Sequence, residues 1–165
     1  MEEAEKSQTF DGKTLIDGAI AGFIATVPMS LVMLALQRML PPQRQSPLPP
    51  SEITERAAKR ADVETAAQDP WHDLLTLISH FGFGATVGSL YGPLAQRAPF
   101  PKFASGFLFG LVVWFVSYQG WLPALRLLPP ASKQPPKRNL IMIAAHLVWG
   151  ASLGLLLQSR ARSRG

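Results

Sequence analysis

Residues 140–158 read LIMIAAHLVWGASLGLLLQ, a run without one acidic or basic side chain. A helix that crosses the hydrocarbon core of a bilayer needs about 20 mostly apolar residues. A soluble helix of that length would show a polar face, and this stretch shows none. It reads as a membrane span, and three other stretches resemble it. Gly18–Leu36 reads GAIAGFIATVPMSLVMLAL, Leu74–Ala95 reads LLTLISHFGFGATVGSLYGPLA, and Phe103–Leu125 reads FASGFLFGLVVWFVSYQGWLPAL. All four lack Asp, Glu, Lys and Arg. As core helices of a soluble protein they would need far more polar sequence to cover them. The expected fold is an all-α membrane protein, one integral domain over residues 1–165. Its transmembrane helices are expected at about 15–40, 71–95, 103–125 and 139–158, with a long polar loop over 41–70.

Punctuation residues mark the ends. Asp69-Pro70-Trp71 reads as an N-cap, a proline at the first helical position and an interfacial aromatic. Leu40-Pro41-Pro42 closes the first span and Leu122-Pro123 falls near the end of the third. Trp121 and Tyr91 are placed for the interfaces, and Pro28 should kink the first span. The long loop opens PPQRQSPLPP, which should be extended. It continues SEITERAAKRADVETAA, read as a short helix capped by Ser51 with Ile53 and Val63 its main apolar residues. That helix fits the membrane surface or a solvated spacer equally well.

The 165 residues are 47% hydrophobic but only 16% charged, below the roughly 25% usual in soluble domains. Cysteine is absent, which excludes disulfides, zinc-thiolate sites and iron–sulfur clusters. The net charge of +5 does not point to nucleic acid. Its basic residues flank apolar blocks instead of lining one face among exposed aromatics, and contact with anionic lipid explains them more simply. The acidic start MEEAEKSQTF lacks the pattern of a removed signal peptide, so the first apolar block reads as a retained anchor. Basic residues fall on both sides of the expected membrane and do not settle orientation, although the tail RARSRG favours cytoplasmic termini.

The 140–158 stretch has an echo. HLVWGASLG at 146–154 matches HFGFGATVG at 80–88 in its histidine, its Gly-Ala and its final glycine. The first and third spans carry Gly18-x-x-x-Gly22 and Gly106-x-x-x-Gly110. The second and fourth carry Gly84-x-x-x-Gly88 and Gly150-x-x-x-Gly154. The order predicts two tandem two-helix hairpins related by a pseudo-twofold axis along the membrane normal. Small residues four apart let membrane helices approach closely, so these eight glycines are read as helix-packing residues. Self-association through one glycine face, or membership of a larger membrane complex, is compatible with that reading.

Residues four apart share a helix face, which places His80 with Gly84 and Gly88, and His146 with Gly150 and Gly154. Ionisable side chains rarely face lipid, so both imidazoles should point inward. At 1.5 Å per residue both lie roughly 10–14 Å in from one membrane side. Three roles are open. Each imidazole can bond a backbone carbonyl or a hydroxyl such as Ser79, Ser117 or Ser152, as polar glue between helices. The pair can form a proton-responsive or ligand-binding site in a small transporter or sensor, since an unperturbed histidine titrates near pH 6.5. Or His80 and His146 can be axial ligands of a b-type haem; no other cofactor and no other metal site is indicated. Enzymatic signals are weak. No span holds a carboxylate, no Gly-x-Ser-x-Gly occurs, and His72 and Asp73 at a helix start are explained by capping and the interface. The chain is read as a non-enzyme.

HLVWG, the Leu-Pro-Pro exit after Ala21-Gly22, Gly88-Ser89-Leu90-Tyr91, and Ser117-Tyr118-Gln119-Gly120-Trp121-Leu122-Pro123 together resemble the YagU-like family of bacterial inner-membrane proteins. Some relatives carry a further histidine where Ser117 stands. The resemblance implies a multi-pass plasma-membrane protein of unestablished activity, loosely associated with acid tolerance. It implies no catalytic residues.

Overall fold

Hydropathy and length decide the long helices, and the structure, a computed structural model, describes them over residues 12–45, 47–63 and 70–162. In chain order they are α1 (Gly12–Arg38), a short α2 (Pro49–Arg60), α3 (Pro70–Arg97) and α4 (Lys102–Phe115). One π turn (Val116–Trp121) then leads into a short α5 (Leu122–Ala124), and α6 (Pro136–Arg162) follows. Four stretches, Gly12–Arg38, Pro70–Arg97, Lys102–Ala124 and Pro136–Arg160, are long and apolar enough to cross a membrane. They match the four expected spans with ends displaced by a few residues. No strand occurs among the described residues. The expected Asp69 cap, the acidic start before Gly12 and the end of the basic tail lie outside them.

α1 continues through Pro28. The Thr26 and Ser30 hydroxyls donate to the carbonyls of Gly22 and Thr26, at 2.9 and 2.8 Å. α2 starts at Pro49, with Leu48 before it and no side chain capping it. Ser51 therefore lies inside the first turn and is not the cap: two prolines, whose missing N–H groups need no partner there, open the helix instead.

The expected hairpins form: α1 packs along α3, and α4 along α6. Glycine size is the reason. No described glycine has a positive φ, so none is needed for backbone freedom. A Cβ on Gly22 would fall 2.9 Å from Gly88 Cα and 3.1 Å from the Gly84 carbonyl carbon, and one on Gly150 would fall 2.9 Å from Gly110 Cα. Carbon atoms do not approach so closely, so any side chain would force the helices apart. Seven of the eight predicted packing glycines meet the partner helix backbone of their own hairpin in this way, Gly92 does so as well, and Gly84 meets the Thr26 side chain of α1 first. The glycine faces are thus filled within one chain, and a homo-oligomer would need another surface.

The contacts repeat between hairpins, but not in the register of the sequence match. The backbone carbonyls met by Cβ atoms on Gly18 and Gly22 are those of Gly88 and Gly84. For Gly106 and Gly110 they are those of Gly150 and His146, and for Gly92 and Gly154 those of Thr14 and Lys102. Gly18 and Gly22 therefore correspond to Gly106 and Gly110, as expected. Gly84, Gly88 and Gly92, however, correspond to His146, Gly150 and Gly154. The alignment of HFGFGATVG with HLVWGASLG is one helical turn out, and His80 and His146 are not equivalent positions. An i, i+4 pattern looks the same after a shift of four, so the sequence match did not define which glycine faces which.

The hairpins also join unevenly. α1 lies along α6, where Trp149 Nε1 donates to Gly22 O at 3.2 Å and Arg160 pairs with Asp17 at 3.1 Å. That last pair sets a carboxylate in the second turn of α1 against a guanidinium in the last turn of α6, where the helix dipole favours the positive charge. A pseudo-twofold axis would give α3 and α4 an equivalent seam. They meet sparsely instead: Tyr91 packs on Phe109, with ring centroids 4.9 Å apart, and its hydroxyl lies 2.7 Å from Lys102 O and Ser105 Oγ, while Phe83 meets Trp121 of the π turn at 5.6 Å.

Candidate functional site

α1 and α6 form a floor, and α3 and α4 stand on either side of it. A cavity of about 230 Å³ is left between them on the side of the long loop. All three side chains singled out from the sequence, His80, His146 and Ser117, line it. Each arrives differently. His80 sits on α3 one turn before Gly84. His146 sits on α6, 6% exposed, where its carbonyl lies against Gly110. Ser117 is carried by the π turn. The wider turn brings consecutive residues inward, so that Ser117 and Tyr118 are both 4% exposed. Trp121, at its end, donates from Nε1 to Ser117 Oγ at 3.2 Å.

The hydrogen bonds set what the imidazoles offer. His146 Nδ1 lies 2.7 Å from Met142 O. A carbonyl can only accept, so Nδ1 carries the proton and Nε2 of a neutral ring presents a lone pair. The Tyr118 ring stands edge-on to it, with centroids 5.9 Å apart. The polar-glue role therefore has a specific form at His146: the bond is to its own helix, one turn back. At His80 it has none, because Nε2 is buried without a hydrogen-bond partner. Such a group is unusual in a folded protein and marks a place where a partner fits. Among the described residues no charged side chain lines the cavity, and Met29, Met33 and Met142 supply much of its apolar wall. A b-type haem does not fit. Drug-sized ligands take pockets of about 300–1,000 Å³, and a porphyrin is at least that large.

α2 closes the loop end of the cavity with Pro49, Pro50 and Ile53. Glu52 holds it there, accepting from Arg56 at 2.6 Å and from Arg138 of α6 at 2.5 Å, while Arg56 also donates to Leu127 O at 3.1 Å. Thr54 Oγ1 lies 3.2 Å from Ser79 Oγ. On its solvent side a hydrogen bond from Lys59 keeps the Glu55 carboxyl below the usual carboxylate range. The helix is a lid docked on the loop end of the bundle, held by contacts that neither expected position specified. The lid also buries His72 completely, with Nε2 donating to Ser51 O at 3.3 Å. Its place beneath α2 had no signal in the sequence, since it depends on where α2 lands. Tyr118 and Trp149 were missed for a similar reason. In an apolar span, nothing distinguishes an aromatic facing a cavity from one facing lipid.

No group of three or more His, Cys, Asp or Glu side chains placed to hold a metal occurs among the described residues. No curated protein and no solved structure matches the chain. Residues 27–155, which hold the lid, the α4–α6 glycine seam and every described cavity-lining residue except Thr26, match the model of a family described as a protein of unknown function, and the chain belongs to that family, DUF1440.

Proposed function

We propose that this is a non-enzymatic membrane protein that binds a small molecule in the cavity lined by His80, His146 and Ser117. One observation carries the reading: a buried His80 Nε2 without a partner faces a cavity whose other polar groups converge on the same space. The non-enzymatic part rests on the chemistry of the lining. Its described residues offer no carboxylate or thiol, and the hydrogen bonds of Ser79 and Ser117 go to Thr54, the Thr76 carbonyl and Trp121, so neither hydroxyl is paired with an imidazole that would activate it. The YagU-like resemblance supports a bacterial inner-membrane location. A transporter is the second reading, favoured by the sparse α3–α4 seam, because helices that are not zipped together can part.

The test is thermal unfolding of the protein in nanodiscs against a panel of small neutral, anionic and cationic compounds. A binder present at 100 times its Kd stabilises the folded state by about 2.7 kcal/mol. At least one compound should do so for the natural chain and fail for His80→Leu and His146→Leu variants that remain folded. A panel in which stabilisation never depends on either histidine overturns the site.

A further inference from the structure

The cavity is covered unequally. Towards the loop it lies under α2, which is tied down by the Glu52–Arg138 pair. Its floor is the close α1–α6 seam. Sideways, between α3 and the π turn, the cover is thin. Gly84, Gly88 and Gly92 of α3 meet α1, and no α3 glycine meets α4. Above the cavity, Phe83 and Trp121, both lining residues, meet with ring centroids 5.6 Å apart and an interplanar angle of 41°. Phe83 is 38% exposed on a membrane-spanning face, so its ring has lipid on one side and the cavity on the other. Trp121 belongs to a π turn, a device frequent at functional sites.

We propose that the site is loaded sideways from the bilayer through the Phe83–Trp121 contact, and that its ligand is an uncharged, membrane-soluble aromatic molecule of one or two rings bearing a hydroxyl or N–H group. This rests on the cavity being a binding site. The lining sets the ligand class. An engineered apolar cavity of about 150 Å³ holds benzene, so the 230 Å³ here admits a second ring or a substituent. With no charged residue among the described lining, an ionised ligand would lose its hydration without gaining a counter-charge. His80 Nε2 and His146 Nε2 offer hydrogen bonds to one polar group, and methionine sulfur packs favourably against aromatic edges. A molecule of this kind partitions into lipid, which is where the thin wall faces.

Stopped-flow binding to the nanodisc protein, with 1-naphthol, naphthalene and 1-naphthoate as probes, tests this. 1-Naphthol should bind saturably and naphthalene about tenfold more weakly, the effect of one hydrogen bond; 1-naphthoate should not bind. His80→Leu should reduce 1-naphthol to the level of naphthalene. Phe83→Ala should raise its association and dissociation rates together by several-fold, with Phe83→Leu as the milder variant should Ala impair folding. Glu52→Gln, which loosens the lid, should leave those rates alone. If rates respond to Glu52→Gln and not to Phe83, the sideways route is wrong and the site stands. If 1-naphthol fails while another compound binds in a His80-dependent way, the ligand class is wrong. If nothing binds, the site itself fails and this inference with it.

Discussion

Replacing Gly22 by alanine should separate the α1–α3 seam. The added Cβ would collide with the Gly84 carbonyl oxygen and stand 2.9 Å from Gly88 Cα, both parts of a helix backbone and unable to swing aside. Ordinary carbon–oxygen contacts lie at about 3.3–3.6 Å, so the helices must part by roughly 1 Å. Forced overpacking costs about 1–3 kcal/mol, and the higher helix propensity of alanine returns up to about 1 kcal/mol. The net expectation is a loss of about 1–2 kcal/mol. Gly82 is the control: it lies on the same helix as Gly84, yet a Cβ there meets nothing within 4 Å. Gly82→Ala should be neutral or stabilising by up to about 1 kcal/mol. Reversible unfolding in mixed micelles, titrated with a denaturing detergent, reads both. The contact register adds a sharper comparison. Gly92→Ala should be as damaging as Gly154→Ala, because they meet the Thr14 and Lys102 carbonyls in corresponding places. If Gly22→Ala and Gly82→Ala behave alike, or Gly92→Ala is harmless, the packing described here is wrong.

Trp149→Phe keeps most of the ring but removes the bond to Gly22 O, and should cost about 0.5–1.5 kcal/mol in the same unfolding assay. A double-mutant cycle on Glu52→Gln and Arg138→Gln should give a coupling of about 1–3 kcal/mol, since both side chains are only 18% exposed; a coupling near zero would mean that α2 is not held by this pair. Arg126 ends the α5 turn with φ 53°, a left-handed conformation. Arg126→Gly should therefore be neutral or stabilising by up to about 1 kcal/mol, whereas Arg126→Val should destabilise by more than that.

The sequence by itself determined the solvent of this protein, its four helices and the two glycine seams, because each rests on a property readable along the chain: length of apolar run, absence of charge, spacing of four. It also brought His80, His146 and Ser117 to one side of the bundle, since an ionisable or polar group in a span has few places to go but inward. Only the tertiary structure decided how those pieces meet. A periodic glycine pattern is degenerate to a shift of one turn, so the backbone contacts had to show that His146 corresponds to Gly84 and not to His80. The polar α2 had two open positions in the sequence, and its docking on the bundle was decided by a contact across the chain: Glu52 finds Arg138, eighty-six residues away. The opening between α3 and α4 follows from the unequal joining of two similar hairpins, a relation between helices that no property of one helix encodes.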